Sequence, residues 1–108
     1  MITDSDIEKA VEWLISNASK AAQAKANRIY LEEYRKVVKA QCMKASEESA
    51  IGAKEADAYS DPKYIHHLTV MQDAIEEDEK LTFLRKAAEA KLEAWRTMCS
   101  NNRTLGKL

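Results

Sequence analysis

Basic and aromatic side chains alternate along residues 20–39, KAAQAKANRIYLEEYRKVVK, and this mixture of types can bind a single-stranded nucleic acid. Cations attract phosphates, and nucleobases stack on tyrosine rings. The residues expected to form this face are Lys20, Lys25, Arg28, Tyr30, Tyr34, Arg35, Lys36 and Lys39, with Arg96 and Arg103 as a second basic region. The alternative interpretation is the solvated or ion-pairing side of a coiled coil, and the net charge of −1 argues against tight, nonspecific binding by a monomer.

An acidic run near the middle of the chain is the second group that points to a partner. Asp73, Glu76, Glu77, Asp78 and Glu79 lack the Glu-x-x-His spacing of di-metal carboxylate bundles. The sequence therefore predicts a solvated run or a contact for a basic partner. Trp13 and Trp95 are added as candidate partner-binding residues, because large aromatic side chains are common at interfaces.

His66 and His67 are the only histidines, and Cys42 is expected to lie near them in a folded hairpin. Adjacent helical residues point about 100° apart, so the two imidazoles cannot chelate one metal ion together. No third ligand is evident. We expect no metal site, with one histidine facing the partner helix and the other facing solvent.

Catalytic patterns are not found in this sequence. It has no recognisable nucleophile motif, no phosphate-binding Gly-rich loop and no paired acid and base. The sequence predicts a protein that is not an enzyme and that has neither a cofactor nor a small-molecule substrate. The acidic N-terminal residues, the lack of an 18-residue apolar run and the two cysteines predict a cytoplasmic protein without membrane contact.

Two Gly, one Pro and 32% charged residues are typical of long helices, and the sequence predicts an all-α fold. A first helix is expected over about residues 4–48, with Thr3 as N-cap or, alternatively, Ser5 as cap with Glu8 closing a capping box. An apex follows over about residues 49–61, with room for a short helical turn. Asp61 and Pro62 then begin a second helix over about residues 62–99, followed by a tail of residues 100–108.

The apolar stripe of the second helix has an apparent slip. Ile65, Leu68, Met71 or Gln72, and Ile75 follow one pattern, and a second pattern starts at Leu81 after the residues EEDEK. We interpret the slip as a coiled-coil stutter and not as a break, because this segment contains no Gly or Pro.

The predicted architecture is one domain of residues 1–108, an antiparallel, coiled-coil-like hairpin of two long helices. Paired residues then have numbers that sum to about 106. This register places the basic residues 25–39 beside the acidic residues 73–79, and the acidic N-terminus beside Arg96 and Arg103. It also places Trp13 near Trp95, and Cys42 far from Cys99, so that an intramolecular disulfide cannot form.

Apolar side chains lie on more than one side of the first helix, as at Leu14 with Ile15 and Tyr30 with Leu31. Surplus apolar surface marks an interface, and with only 6% aromatic residues the hairpin buries little surface by itself. We expect homo-oligomerisation into a helical bundle. The alternative is that these side chains cover the edges of the hairpin.

Four segments carry a resemblance to a known group of proteins: Trp13, RIYLEEYRK at residues 28–36, AYSDPKY at residues 58–64 and AEAKLEAWRTM at residues 88–98. Their pattern resembles small helical proteins of tailed bacteriophages, which are similar in size and helix content to the UvsY-type recombination mediators. The resemblance implies an oligomeric protein in a bacterial host cell that helps to load a recombinase on single-stranded DNA.

The leading hypothesis is therefore a non-enzymatic accessory protein for recombination or replication that contacts single-stranded DNA, a DNA-binding partner, or both. One alternative is a protein-binding inhibitor or adaptor, such as a phage counter-defence factor that uses the acidic residues 73–79. Another is a structural or assembly-chaperone protein without nucleic-acid contact.

Overall fold

The computed structural model describes residues 1–106, which form three α-helices and no strand. The helices are α1 (Asp4–Ala45), α2 (Ile51–Ser60) and α3 (Pro62–Gly106). The predicted all-α class is confirmed. The chain forms two compact units where one domain was predicted: unit 1 comprises Met1–Ala22 and Lys80–Leu108, and unit 2 comprises Gln23–Glu79.

The start of α1 is fixed by a reciprocal cap between Thr3 and Asp6. The Asp6 amide donates to Thr3 Oγ1 at 3.2 Å, and the Thr3 amide donates to Asp6 Oδ2 at 2.9 Å. Two otherwise unpaired amides are satisfied in this way, which confirms Thr3 as the N-cap. At the other end, α1 stops at Ala45, three residues before the predicted residue 48. There the Ser46 hydroxyl accepts the Glu48 amide and competes with helical bonding.

The predicted apex contains α2, and the predicted start of α3 is confirmed. Asp61 Oδ1 accepts the Lys63 amide at 2.9 Å, and Pro62 occupies the first helical position. The far end of α3 differs from the prediction, because the helix continues past Cys99 to Gly106. No residue of the described part has a positive φ, so neither of the two asparagines at 101–102 forms the left-handed cap that was expected to end the helix. Lys107 and Leu108, the last residues of the predicted tail, lie outside the described residues.

The inner face of α3 follows a heptad pattern, and the predicted stutter is not observed. The helix is continuous through the residues EEDEK, which confirms the prediction that this segment is not a break. Side chains with low exposure recur at spacings of three and four, with a single exposed member at Arg85. The inner positions are Tyr64, His67, Met71, Ala74, Asp78, Leu81, Ala88, Leu92, Trp95 and Cys99. Ile65 and Leu68, which the sequence predicts in the apolar stripe of the second helix, are exposed. The apolar pattern of α3 has an apparent slip because Asp78, a charged residue, occupies an inner position. Apolar periodicity alone does not detect an inner position of this kind.

Unit 2 packs parts of all three helices around a small core of Val38, Cys42, Ala58 and Tyr64. Tyr34 and Met43 pack against this core. Within this unit α1 and α3 are antiparallel, since Arg28 contacts Asp78 and Leu31 contacts His67. The number sums of these pairs are 106 and 98, close to the predicted register. Cys42 lies beside Asp61 and Tyr64, and the pair of Cys42 with Tyr64 also has the predicted number sum of 106. Both cysteines are free.

Unit 1 has a much smaller interior. Its buried apolar residues are Ala10, Leu81 and Ala88. Trp13 lines an open groove with Lys9, Leu84, Ala87 and Lys91. The predicted aromatic layer is not observed, because within residues 1–106 no ring contact joins Trp13 and Trp95. The tryptophan of α1 lies against smaller side chains of α3.

Candidate interaction surfaces

Arg28 is the centre of a polar cluster inside unit 2. Its Nε donates to Glu32 Oε1 at 2.9 Å, and its Nη1 donates to Asp78 Oδ2 at 3.1 Å and to Glu79 Oε1 at 2.8 Å. Asp78 is only 8% exposed. The hydrogen bonds to Glu32, Glu79 and Asp78 raise the pKa of Arg28 above its usual range. Three carboxylates bind the guanidinium through Nε and Nη1 and offset its positive charge, which makes it a poor site for a nucleic-acid phosphate.

Lys39 is occupied in a similar way, at the contact between α1 and α2. Its Nζ lies 3.4 Å from Glu55 Oε1 and 4.8 Å from the centroid of the Tyr59 ring. The hydrogen bond with Tyr59, followed by that with Glu55, raises the pKa of Lys39. The Tyr59 ring in turn meets Tyr64 edge to face at 5.4 Å. Lys39 therefore helps to hold α2 against α1.

The two tyrosines of the predicted nucleic-acid face stack on each other, with ring centroids 5.6 Å apart and an interplanar angle of 18°. Tyr34 is half-buried and lies 6.0 Å from the His67 ring, whereas Tyr30 is exposed. His67 is buried and its Nε2 lies 2.7 Å from the carbonyl oxygen of Leu31. His66 is exposed. The prediction that one histidine faces the partner helix and the other faces solvent is confirmed.

Lys25 and Lys36 do not share a face with the tyrosines. These two lysines are about 20° apart around α1, but Tyr30 is about 140° from Lys25 and about 120° from Lys36. Lys36 pairs with Glu33, while within the described residues Lys25 and Arg35 form no ion pair. The helix thus places its stacked rings on a different side from Lys25 and Lys36. Lys20 is exposed but does not lack a partner, Arg96 pairs with Glu93, and Arg103 is exposed near the end of α3.

The acidic candidates are divided between the interior and the surface. Asp78 and Glu79 are bound to Arg28, as the opposition of basic and acidic blocks predicted. Asp73 and Glu76 are exposed, and Glu77 is half-buried with a partner of its own. The run is therefore not a single acidic face. In unit 1, the hydrogen bonds with Thr3 and, to a smaller extent, the charge of Lys91 on α3 lower the pKa of Asp6. Arg96, the residue expected near the acidic N-terminus, pairs with Glu93 of its own helix.

An apolar strip runs along the outside of α1 in unit 1. It consists of Ile7, Val11, Ile15, Ala18 and Ala22, at spacings of three and four that keep these residues on one side of the helix. Ile15 is 74% exposed. Glu8, Glu12 and Ser16 border the strip. One feature of the sequence indicates this surface, since apolar residues lie on more than one side of α1.

A second exposed apolar group lies on α3 of the same unit. It consists of Phe83 and Leu84, and Phe83 is 64% exposed. The Nζ of Lys86 lies 5.8 Å from the centroid of the Phe83 ring. We call Phe83, Leu84 and Lys86 the phenylalanine patch. Neither Phe83 nor Leu84 was among the candidate surface residues predicted from the sequence.

The described residues contain no group of three or more His, Cys, Asp or Glu side chains placed to hold a metal ion. Among the helices of residues 1–106, none combines the length and the apolar character needed to cross a membrane. Every buried side-chain nitrogen and oxygen atom in this part of the chain has a hydrogen-bond partner.

Comparisons were made with protein-family models, with curated proteins and with solved structures, and none of the three returned a match.

Proposed function

We propose that this chain is a non-catalytic accessory protein that acts by binding protein chains, including copies of itself, through the outer faces of its long helices. The proposal keeps the adaptor and assembly alternatives of the sequence analysis, together with a homo-oligomeric helical bundle. The observation that carries it is the exposure of large apolar side chains in unit 1, whose interior is small. Leu81 and the alanines Ala10 and Ala88 are buried, while Ile15 and Phe83 lie outside.

The amount of exposed surface supports the same conclusion. The chain exposes 8152 Å². An average monomeric protein of 12.2 kDa exposes about 6,100 Å². The difference is about 2,000 Å², and a standard protein interface buries about 800 Å² on each partner. The excess of total accessible surface is therefore larger than the area that one partner buries in a standard interface.

Sedimentation velocity of the intact chain tests the proposal, over concentrations from low micromolar to several hundred micromolar. We expect species heavier than the 12.2 kDa monomer whose fraction rises with concentration. A chain that stays monomeric over the whole range, with full helicity by circular dichroism, would contradict self-assembly.

Contact with single-stranded nucleic acid is a second candidate function, and the stack of Tyr30 on Tyr34 favours it. An exposed ring that is held by a second ring is a rigid platform for a nucleobase. The resemblance to phage recombination mediators supports the same role in a bacterial cytoplasm. The separation of these rings from Lys25 and Lys36 makes it the weaker candidate.

Fluorescence anisotropy of a labelled single-stranded oligonucleotide tests this candidate at low and moderate salt. Binding that Tyr30→Ala weakens at least about fivefold, in line with stacking energies of about 1–3 kcal/mol per base, would support it. Ile51→Ala is the matched control, because Ile51 is an exposed apolar residue of α2. A flat titration at micromolar protein and low salt would rule out direct binding.

A further inference from the structure

We infer that the apolar strip of one copy binds the phenylalanine patch of a second copy, so that α1 of one chain packs on α3 of the next. The inference rests on the proposed function and goes further, since it names the two surfaces and their partner. Both surfaces belong to unit 1, and Val11 and Ile15 of the strip and Phe83 and Leu84 of the patch are exposed.

The strip has the geometry of a helix-packing face. The aliphatic side chains Ile7, Val11 and Ile15 are followed by Ala18 and Ala22, all on one side of α1. Small residues at the end of such a strip let a second helix approach closely. Val11 and Ile15 are exposed although each is a residue type that is usually buried.

The patch offers matching chemistry. Phe83 and Leu84 provide a large apolar area at one level of α3, and both are exposed. An exposed aromatic side chain next to an aliphatic one is a typical anchor for a partner helix. Lys86 covers part of the Phe83 ring and holds a positive charge at its border.

Charge decides which surface the strip binds. The part of α1 in Met1–Ala22 has four acidic and two basic residues, for a net charge of −2. Residues 80–106 of α3 have six basic and two acidic residues, for a net charge of +4. Packing strip on strip would bring Glu8 and Glu12 of two copies together. Packing strip on patch brings them to Lys86, and opposite charges at the border select the partner surface.

The contact is heterologous, because it joins the apolar strip of one copy to the phenylalanine patch of the next. A bound pair still has one free strip and one free patch, so further copies can add until the assembly closes. This property separates the inference from a symmetric contact of either surface with itself, and it can be measured directly.

The test uses two variants of the full chain, Ile15→Glu in the strip and Phe83→Glu in the patch. Sedimentation velocity is expected to show each variant as a monomer at concentrations where the wild type associates. An equimolar mixture is expected to form a dimer and to stop there. In that dimer the intact strip of the Phe83 variant binds the intact patch of the Ile15 variant. Ile51→Glu is the control, because Ile51 is 73% exposed on α2 of unit 2, and it is expected to associate like the wild type.

Three results would overturn the inference while leaving self-assembly intact: an Ile15 variant that still associates, a Phe83 variant that associates as the wild type does, or a mixture that remains monomeric. Dissociation of the Ile51 control would overturn it as well. A monomeric wild type would instead overturn the proposed function, and the inference with it. If circular dichroism shows that a glutamate variant has lost helix, Ile15→Ser and Phe83→Ser take its place under the same criteria.

Discussion

The two units of this chain are stabilised in different ways, although both are built from α1 and α3. In unit 2 the contact between the helices includes specific polar bonds. Arg28 binds two carboxylates of α3, and His67 binds the carbonyl oxygen of Leu31. In unit 1 the interior is small and apolar, formed by Ala10, Leu81 and Ala88. One unit is defined by directional bonds and the other by close packing of small side chains.

Polar contacts and apolar packing contribute differently to the stability of a helix pair and to the choice of its register. A polar pair at an inner position contributes little net free energy, but it permits only one register, because any slip leaves a charge unpaired. Small apolar side chains let two helices approach closely, but they select one register less strongly. Unit 1 has the smaller buried interior and also exposes Ile15 and Phe83, and this is where we place the contact with a second copy.

The largest expected effect comes from the one large aliphatic side chain buried in unit 1. Leu81 is 3% exposed. Leu81→Ala removes buried methyl groups and leaves a cavity, so it is expected to lower the free energy of unfolding by about 3 kcal/mol. Urea unfolding followed by circular dichroism measures the change. Leu105→Ala is the control, because Leu105 is an exposed residue of the same helix, and its effect should stay within about 0.5 kcal/mol. Equal losses in the two variants would show that unit 1 has no effective interior.

A smaller loss is expected when the polar cluster of unit 2 is broken. Asp78→Ala removes one acceptor from Arg28 at a nearly buried position, and the free energy of unfolding should fall by about 2 kcal/mol. Asp73→Ala is the matched control, since Asp73 is an exposed acidic residue on the same helix. Raising the salt concentration should leave the difference between the two variants nearly unchanged, because salt screens buried pairs weakly. A difference that disappears in salt would mean that the cluster acts as a surface ion pair.

Local signals in the sequence were sufficient for much of the fold. Thr3 and Asp61 were recognised as helix starts because capping depends on a few neighbouring residues. The opposition of basic and acidic segments was recognised because net charge needs no knowledge of rotation around the helix axis. The length of α3 was underestimated for the same local reason, since asparagines favour helix ends only when they adopt the left-handed conformation.

The candidate site was harder to predict, because it depends on which side of a helix each residue occupies. Arg28 and Lys39 were assigned to a nucleic-acid face, but both are bound by carboxylates that are distant in sequence. Asp78 was assigned to a surface run, although it occupies an inner position. An inner position occupied by a charge is invisible to apolar periodicity, and it shifted the predicted stripe of α3 toward Ile65 and Leu68.

The reactivity of the two cysteines provides a way to compare the interiors of the two units. Cys42 is buried in the core of unit 2, and burial, followed by the neighbouring Asp61, raises the pKa of its thiol. Cys99 is half-buried in unit 1. Because the thiolate is the reactive form, Ellman's reagent at neutral pH should modify Cys99 at least about tenfold faster than Cys42. Cys42→Ser and Cys99→Ser assign the two phases, and equal rates would show that the core of unit 2 opens readily.

The raised pKa of Cys42 also predicts a dependence of stability on pH. The folded state keeps the thiol protonated to a higher pH than the unfolded state, whose thiol titrates near 9.0. The contribution is therefore fully present below that pH and is lost as the pH rises through the folded value. Cys42→Ser should lose less stability than the wild type between neutral pH and pH values above the ordinary thiol pKa. Parallel curves for the two proteins would contradict this.

The smallest expected effect lies at the first turn of unit 1. The Thr3 amide, followed by the Thr3 hydroxyl bond, lowers the pKa of Asp6 below its ordinary value of 3.8. A lowered carboxyl pKa adds stability that is present above the unfolded pKa and is lost as the pH falls through the folded value. Asp6→Asn removes the charge and should speed amide exchange in the first turn of α1 severalfold at neutral pH, and leave unit 2 unchanged. Asp4→Asn is the control, because only Asp6 closes the cap. If Asp6→Asn also speeds amide exchange around Arg28, then opening of the first turn spreads along α1. The two units would in that case not differ in local stability.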